Sequence, residues 1–195
     1  GGGVYLNGCI STNISNSHFI NNVANRGGGL FLYNNTTMLL NQCSVVGNQT
    51  LYTGAGIYLY PGSSEHNLDR MLIAKNTISG NSGTDGGGGL FVNSNNSEVN
   101  VTNSTVIYNS AEQASGGGIS GWGNTLNVQN SIIWFNNANQ DSSINQGNVT
   151  YSNVEGGFEG LGNINTDPMF CNVDSSDYTL QNVSPCLGTG FNGAD

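Results

Sequence analysis

The chain has 195 residues, of which 3 are basic and 12 acidic, for a formal net charge of −9. Charged side chains are 8% of the total, where about 25% is usual in soluble domains. Three cations cannot track a phosphate backbone, which excludes nucleic-acid binding, and no apolar run approaches the roughly 20 residues that a membrane helix needs.

The 30 glycines and 33 asparagines would suit a disordered chain, but a hydrophobic share of 36% opposes that. Scarce Lys and Glu, with plentiful Thr, Val, Ile and aromatics, favour strand over helix. The chain opens on Gly1-Gly2-Gly3-Val4-Tyr5-Leu6, and this block returns at Gly27–Leu32, Gly54–Leu59, Gly87–Val92 and Gly116–Gly121. After each copy comes a block that closes on an apolar residue, two variable positions and Asn: Phe19 to Asn22, Val45 to Asn48, Ile78 to Asn81, Val106 to Asn109, Ile133 to Asn136. Ile14, Leu40, Ile73, Val101 and Val128 each stand five residues before that apolar residue, and Thr12, Met38, Met71, Val99 and Leu126 two residues earlier still.

A period of this length, with alternation inside short segments, predicts a solenoid. The expected fold is all-β: a right-handed parallel β-helix of about 5–7 coils with three short strands per coil. Coils fill residues 1–157, and residues 158–195 form a C-terminal capping segment of the same domain. Equivalent residues should stack, so Asn22, Asn48, Asn81, Asn109 and Asn136 are expected to form an asparagine ladder at one corner. The connection Pro61–Leu68 reads as an insertion, a loop presenting Glu65 and His66.

The Gly-Gly-x-[Ile/Leu/Val] block paired with Phe19-Ile20-Asn21-Asn22 resembles the repeats of bacterial polymorphic outer-membrane proteins. The closing stretch, with Asp167-Pro168-Met169-Phe170 and Ser184-Pro185-Cys186, is similar to the C-terminal portion of secreted right-handed β-helices of the pectin-lyase-like superfamily. The resemblance implies an extracellular or cell-surface setting. That superfamily holds lyases, hydrolases, adhesins and stalks, so function must be argued from the site.

A lyase of that group would need an Arg or Lys base beside carboxylates, and Arg26, Arg70 and Lys75 have no acidic cluster near them in the repeat. A hydrolase needs two carboxyl groups about 5–9.5 Å apart, and no strand stacks acids. No catalytic residue is assigned, and the expected function is structural or adhesive. The alternative is a carbohydrate-binding module or a polysaccharide lyase or hydrolase on the same fold. No cofactor or metal site is expected; calcium at Asp85, within Gly83-Thr84-Asp85-Gly86, would be a single copy of a turn that works in series.

Outward-pointing residues of the glycine-led strands should form an aromatic stripe, Tyr5, Phe31, Tyr58 and Phe91 with Trp122 offset in the fifth coil, able to stack sugars or meet another subunit. Cys171 and Cys186 are expected to form a disulfide worth about 3 kcal/mol, with Cys9–Cys43 a weaker pairing. Nine sequons can carry glycan in a secreted protein: Asn13, Asn34, Asn35, Asn48, Asn95, Asn100, Asn103, Asn148 and Asn182. The first coil has no cap of its own. Its edge is expected to meet further parts of a longer chain or copies of itself, giving a filament if the contact propagates.

Overall fold

In the computed structural model the chain is a parallel β-solenoid of about five turns. The structure describes every residue except 63, 79–85, 94–96, 123–124, 142 and 195, and the side chains of Ile78 and Thr125. Sheet A stacks Val4–Asn7, Leu30–Tyr33, Ile57–Tyr60, Leu90–Asn93 and Ile119–Trp122. Sheet B stacks Ser11–Ser15, Thr37–Asn41, His66–Asp69, Glu98–Thr102, Thr125–Gln129 and Asn148–Thr150. Sheet C holds His18–Ile20, Ser44–Val46, Leu72–Ala74, Thr105–Ile107, Ile132–Trp134 and Asn153–Val154. A fourth sheet, D, holds Val23–Arg26, Gln49–Thr53, Thr77–Ile78, Ser110–Ser115 and Asn137–Gln140. Each coil therefore has four sides, not three. Sheet D escaped notice because its column Ala24, Thr50, Ile78, Ala111 and Ala138 holds one large apolar residue, Ile78, which the spacing assigns to sheet C; the other four are small and leave no apolar alternation to read.

Like residues stack as expected in sheet A, where Val4, Leu30, Ile57, Leu90 and Ile119 are partners in register. In the third coil the register differs from expectation by five residues. Leu68, not Ile73, follows Leu40 in sheet B, and Ile73, not Ile78, follows Val45 in sheet C. Ile78 pairs with Thr50 in sheet D. The chain holds two candidates for the closing motif, Ile73 to Asn76 and Ile78 to Asn81, and the fold uses the first. Met71 accordingly leaves the sheet B column, and His66 takes its place between Met38 and Val99.

The asparagine ladder exists, with Asn76 as its third rung; Asn81 lies outside the described residues. The backbone N–H and Nδ2 of Asn22 both donate to Oδ1 of Asn48 at 2.9 and 3.0 Å. The same double bond joins Asn48 to Asn76, Asn76 to Asn109 and Asn109 to Asn136. Each Nδ2 from Asn48 onward also donates to a sheet C carbonyl one coil back: Phe19, Val45, Ile73 and Val106, at 2.9 Å each. The third glycine of the repeat lies directly against this ladder. A Cβ at Gly56 would stand 2.9 Å from Asn76 Nδ2, and one at Gly89 3.0 Å from Asn109 Nδ2, so a side chain there would displace the amide.

A shorter ladder runs at the corner between sheets B and C. The backbone N–H groups of Met71, Ser104 and Ser131 donate to the hydroxyls of Ser104, Ser131 and Ser152. Cys43 sits in this line as a small buried residue, its thiol donating to the carbonyls of Ile14 and Asn41.

Only part of the expected cap closes the solenoid. Phe158 packs against the core cluster, and Ile164 bridges Asn153. The following hairpin, Phe170–Asn172 with Asp177–Leu180, lies instead along the outer face of sheet C. There Phe170, Val173, Tyr178 and Leu180 cover Ala74, Ile107 and Trp134, and Lys75 Nζ donates to Ser176 Oγ at 2.7 Å. Sheet C is apolar on both faces at these coils, which gives the hairpin its seat.

Asn76→Ala is expected to strip partners from the buried Asn48 amide, the Val45 carbonyl and the Asn109 oxygen. At about 1–3 kcal/mol for each buried group left unpaired, urea unfolding should show a loss of several kcal/mol, whereas Asn137→Ala, on an exposed side chain, should change stability by less than about 0.5 kcal/mol.

Candidate functional site

Alternation in sheet A turns Tyr5, Phe31, Tyr58 and Phe91 outward, and they pair in register. Their ring centroids are 5.1, 4.8 and 5.3 Å apart, within the range of favourable aromatic contacts. The stripe is not uniformly exposed. Tyr5 is 53% exposed and Phe31 half-buried, but Tyr58 is 7% and Phe91 0% exposed. Tyr58 and Phe91 are therefore packing residues, not a ligand surface. Trp122 is no member of this column. It pairs with Asn93 one position over, in the outward column that also holds Tyr33 and Tyr60. Those two tyrosines stack at 4.9 Å and 26° and were not singled out from sequence, although the alternation Phe31-x-Tyr33 and Tyr58-x-Tyr60 carries the signal.

Where the stripe is open, a cleft of about 700 Å³ runs along the corner between sheets D and A, lined by Val23, Asn25, Arg26, Phe31 and Tyr52. That corner is turned by the first glycine of the repeat. Gly27 and Gly54 have φ of 58° and 59°, a region costly for residues with a Cβ. A Cβ on Gly27 would also lie 2.7 Å from Phe31 Cβ, and one on Gly54 2.9 Å from Tyr58 Cβ. Other corners place Asn, Gln, Lys and Tyr at positive φ; at these glycines the atom nearest to such a Cβ is a backbone carbonyl oxygen, that of Leu30 or Ile57, which cannot swing aside as a side chain could. The Arg26 guanidinium lies 6.0 Å from the Tyr52 ring centroid, at the outer limit of a cation–π contact. Among the described residues the ion pair found is Arg70 with Asp69, at 3.5 Å, and it does not involve Arg26.

A second cavity, about 550 Å³, opens at the last coil with Asp141 and Glu155 in its lining. Glu155 Oε2 accepts the Phe135 N–H at 2.7 Å. Sheet B carries an outward polar row in which Asn148, Asn127 and Asn100 donate in turn to Asn127, Asn100 and Asn67. Glu65 and Glu98 accept from Asn100 and Asn127 beside it.

Several sequence expectations move. Glu65 is exposed as anticipated, but His66 is fully buried at the start of a sheet B strand, not in a loop. All four cysteines are free. Cys171 is exposed on the hairpin, while Cys186 is buried with its sulfur 3.1 Å from Asn153 Nδ2, so neither Cys171–Cys186 nor Cys9–Cys43 is bridged. Of the sequons, Asn35 and Asn48 are fully buried and cannot carry glycan in the folded chain. Asn48 belongs to the ladder, and Asn35 Oδ1 accepts the Cys9 N–H. Asn13, Asn34, Asn103, Asn148 and Asn182 are exposed and Asn100 is half-buried; Asn95 lies outside the described residues, as does Asp85. Among the described residues no three His, Cys, Asp or Glu side chains gather as a metal site, and no helix is long and apolar enough to cross a membrane.

Comparison with protein-family models, curated proteins and solved structures gives no match.

Phe91→Ala is expected to cost about 3–5 kcal/mol, the range for emptying a buried aromatic site. Tyr5→Ala should stay within about 1 kcal/mol because its ring is half in water and touches one neighbour. Chemical denaturation of the two variants separates the packing end of the stripe from its open end.

Proposed function

We propose that the chain acts as a non-enzymatic extracellular β-solenoid of the pectin-lyase-like type, adhesive through the cleft between sheets D and A. The observation that carries this reading is the cleft itself: aromatic faces at Phe31 and Tyr52 line a cavity large enough for a sugar ring, with Asn25 and Arg26 as hydrogen-bond donors and the Tyr5 ring 5.1 Å from that of Phe31. Sugar rings present C–H faces that pack on aromatic rings, and polar donors at the margin fix their orientation. The three basic side chains are dispersed: Arg26 is beside Tyr52, Arg70 pairs with Asp69, and Lys75 is committed to the hairpin. That scatter favours binding over a lyase that needs base and carboxylates together.

The test is a glycan array probed with the wild-type chain and a Tyr5→Ala/Tyr52→Ala variant. Binding that falls at least about tenfold in the variant, equivalent to about 1.4 kcal/mol, supports the cleft. Equal binding by both, or none by either, removes the adhesive reading. A polysaccharide panel assayed for reducing ends and unsaturated products should show no turnover; turnover would favour the enzymatic alternative.

A second, structural reading, a stalk or filament subunit, is favoured by the stacking itself, in which each coil is the template for the next through continuous parallel ladders. Concentration-dependent growth in light scattering is expected if copies stack, and a monomer at every concentration would dismiss self-stacking.

A further inference from the structure

The most anomalous group inside the solenoid is His66. Its side chain is fully buried, and neither Nδ1 nor Nε2 has a hydrogen-bond partner. It occupies an inward column otherwise made of Thr12, Met38, Val99 and Leu126. Buried polar groups are nearly always paired, and an imidazole held this way is stable only while uncharged.

We infer that His66 makes the third coil an acid-operated opening point: proton uptake by its ring is incompatible with the closed coil, so the strand His66–Asp69 leaves the interior as pH falls. The charged groups around it offer no rescue. The neighbouring strand Thr37–Asn41 has no titratable residue. Glu98, on the strand at the other side, is exposed and accepts from Asn127. Glu65, adjacent in sequence, is exposed, faces outward and is bonded to Asn100. Asp69 accepts from Thr102 and Asn103 outside the coil and pairs with Arg70. In the core cluster the other ionisable side chain is the Cys43 thiol, which donates to two carbonyls. A proton on the ring would sit in a column between Met38 and Val99.

Burial outweighs the attraction of Glu65 and holds the imidazole below the usual histidine range. A histidine depressed in the folded state stabilises the closed coil above its unfolded value, about 6.5. The contribution is lost as pH falls from there toward the folded value. Within that window the opening constant should rise about tenfold per pH unit, the slope for uptake of one proton.

Hydrogen exchange between pH 8 and 5, corrected for intrinsic rates, reads this directly. The amides of His66–Asp69 should lose protection about tenfold per unit below 6.5. His66→Met, which copies the side chain at Met38, should abolish the slope, and His18→Gln, at an exposed position, should retain it. A flat wild-type profile, or an unchanged slope in His66→Met, overturns the proposal. Should His66→Met fail to fold, imidazole NMR of the wild type decides. A His66 ring that stays neutral in the folded state as pH falls supports it, and ordinary titration without opening refutes it.

Discussion

A buried amide column and the glycine that lies against it set the geometry of this molecule. Each rung from Asn48 to Asn109 gives two donors to the next coil and one to the coil before, so three successive coils are tied together by the same side chain. Deep inside, these bonds satisfy groups that would otherwise carry a large desolvation penalty. The repeat Gly-x-Gly follows from two separate demands. The first glycine takes a left-handed backbone close against the carbonyl three residues on, and the third leaves room for the amide. One short motif thus couples the corner that shapes the cleft to the corner that holds the coils in register.

Most of the architecture is legible in the sequence because stacking makes each coil report on the others. The inward columns of sheet A, the ladder corner and the outward aromatic column can all be read from spacing. The third coil is misread because Ile73 to Asn76 and Ile78 to Asn81 satisfy one pattern equally. Choosing between them needs the packing of His66 and Leu68, and a histidine among leucines and valines gives no signal for an interior strand. Sheet D is hidden for another reason, since alanine and threonine facing inward look like the composition of a loop. Exposure of the aromatic stripe is also beyond the pattern: alternation says which side a ring points to, not what covers it.

The two faces flanking the core divide the work. Sheet C is apolar outside and is sealed over its later coils by the hairpin, so it adds a second, lateral core of Ala74, Ile107, Trp134 and Phe170. Sheet B is polar outside and bridges its own amides and carboxylates across coils, a surface that stays wet. Between sheets D and A lies the concave corner, where aromatic faces remain accessible beside the first two coils. Burial of Tyr58 and Phe91 then anchors the same row that offers Tyr5 to solvent.

Met71 occupies the serine line at the corner between sheets B and C. Ser104 gives it a hydroxyl acceptor, but a methionine has none to return to the coil before, and the same coil holds His66. The rungs of the amide column also stand farthest apart in sequence just after it, 33 residues between Asn76 and Asn109. A rod assembled from equal layers would share tension evenly along its axis. Here one corner of the third layer lacks the return bond, so load passing that layer is carried by its amide rung, Asn76, and by the strand ladders themselves.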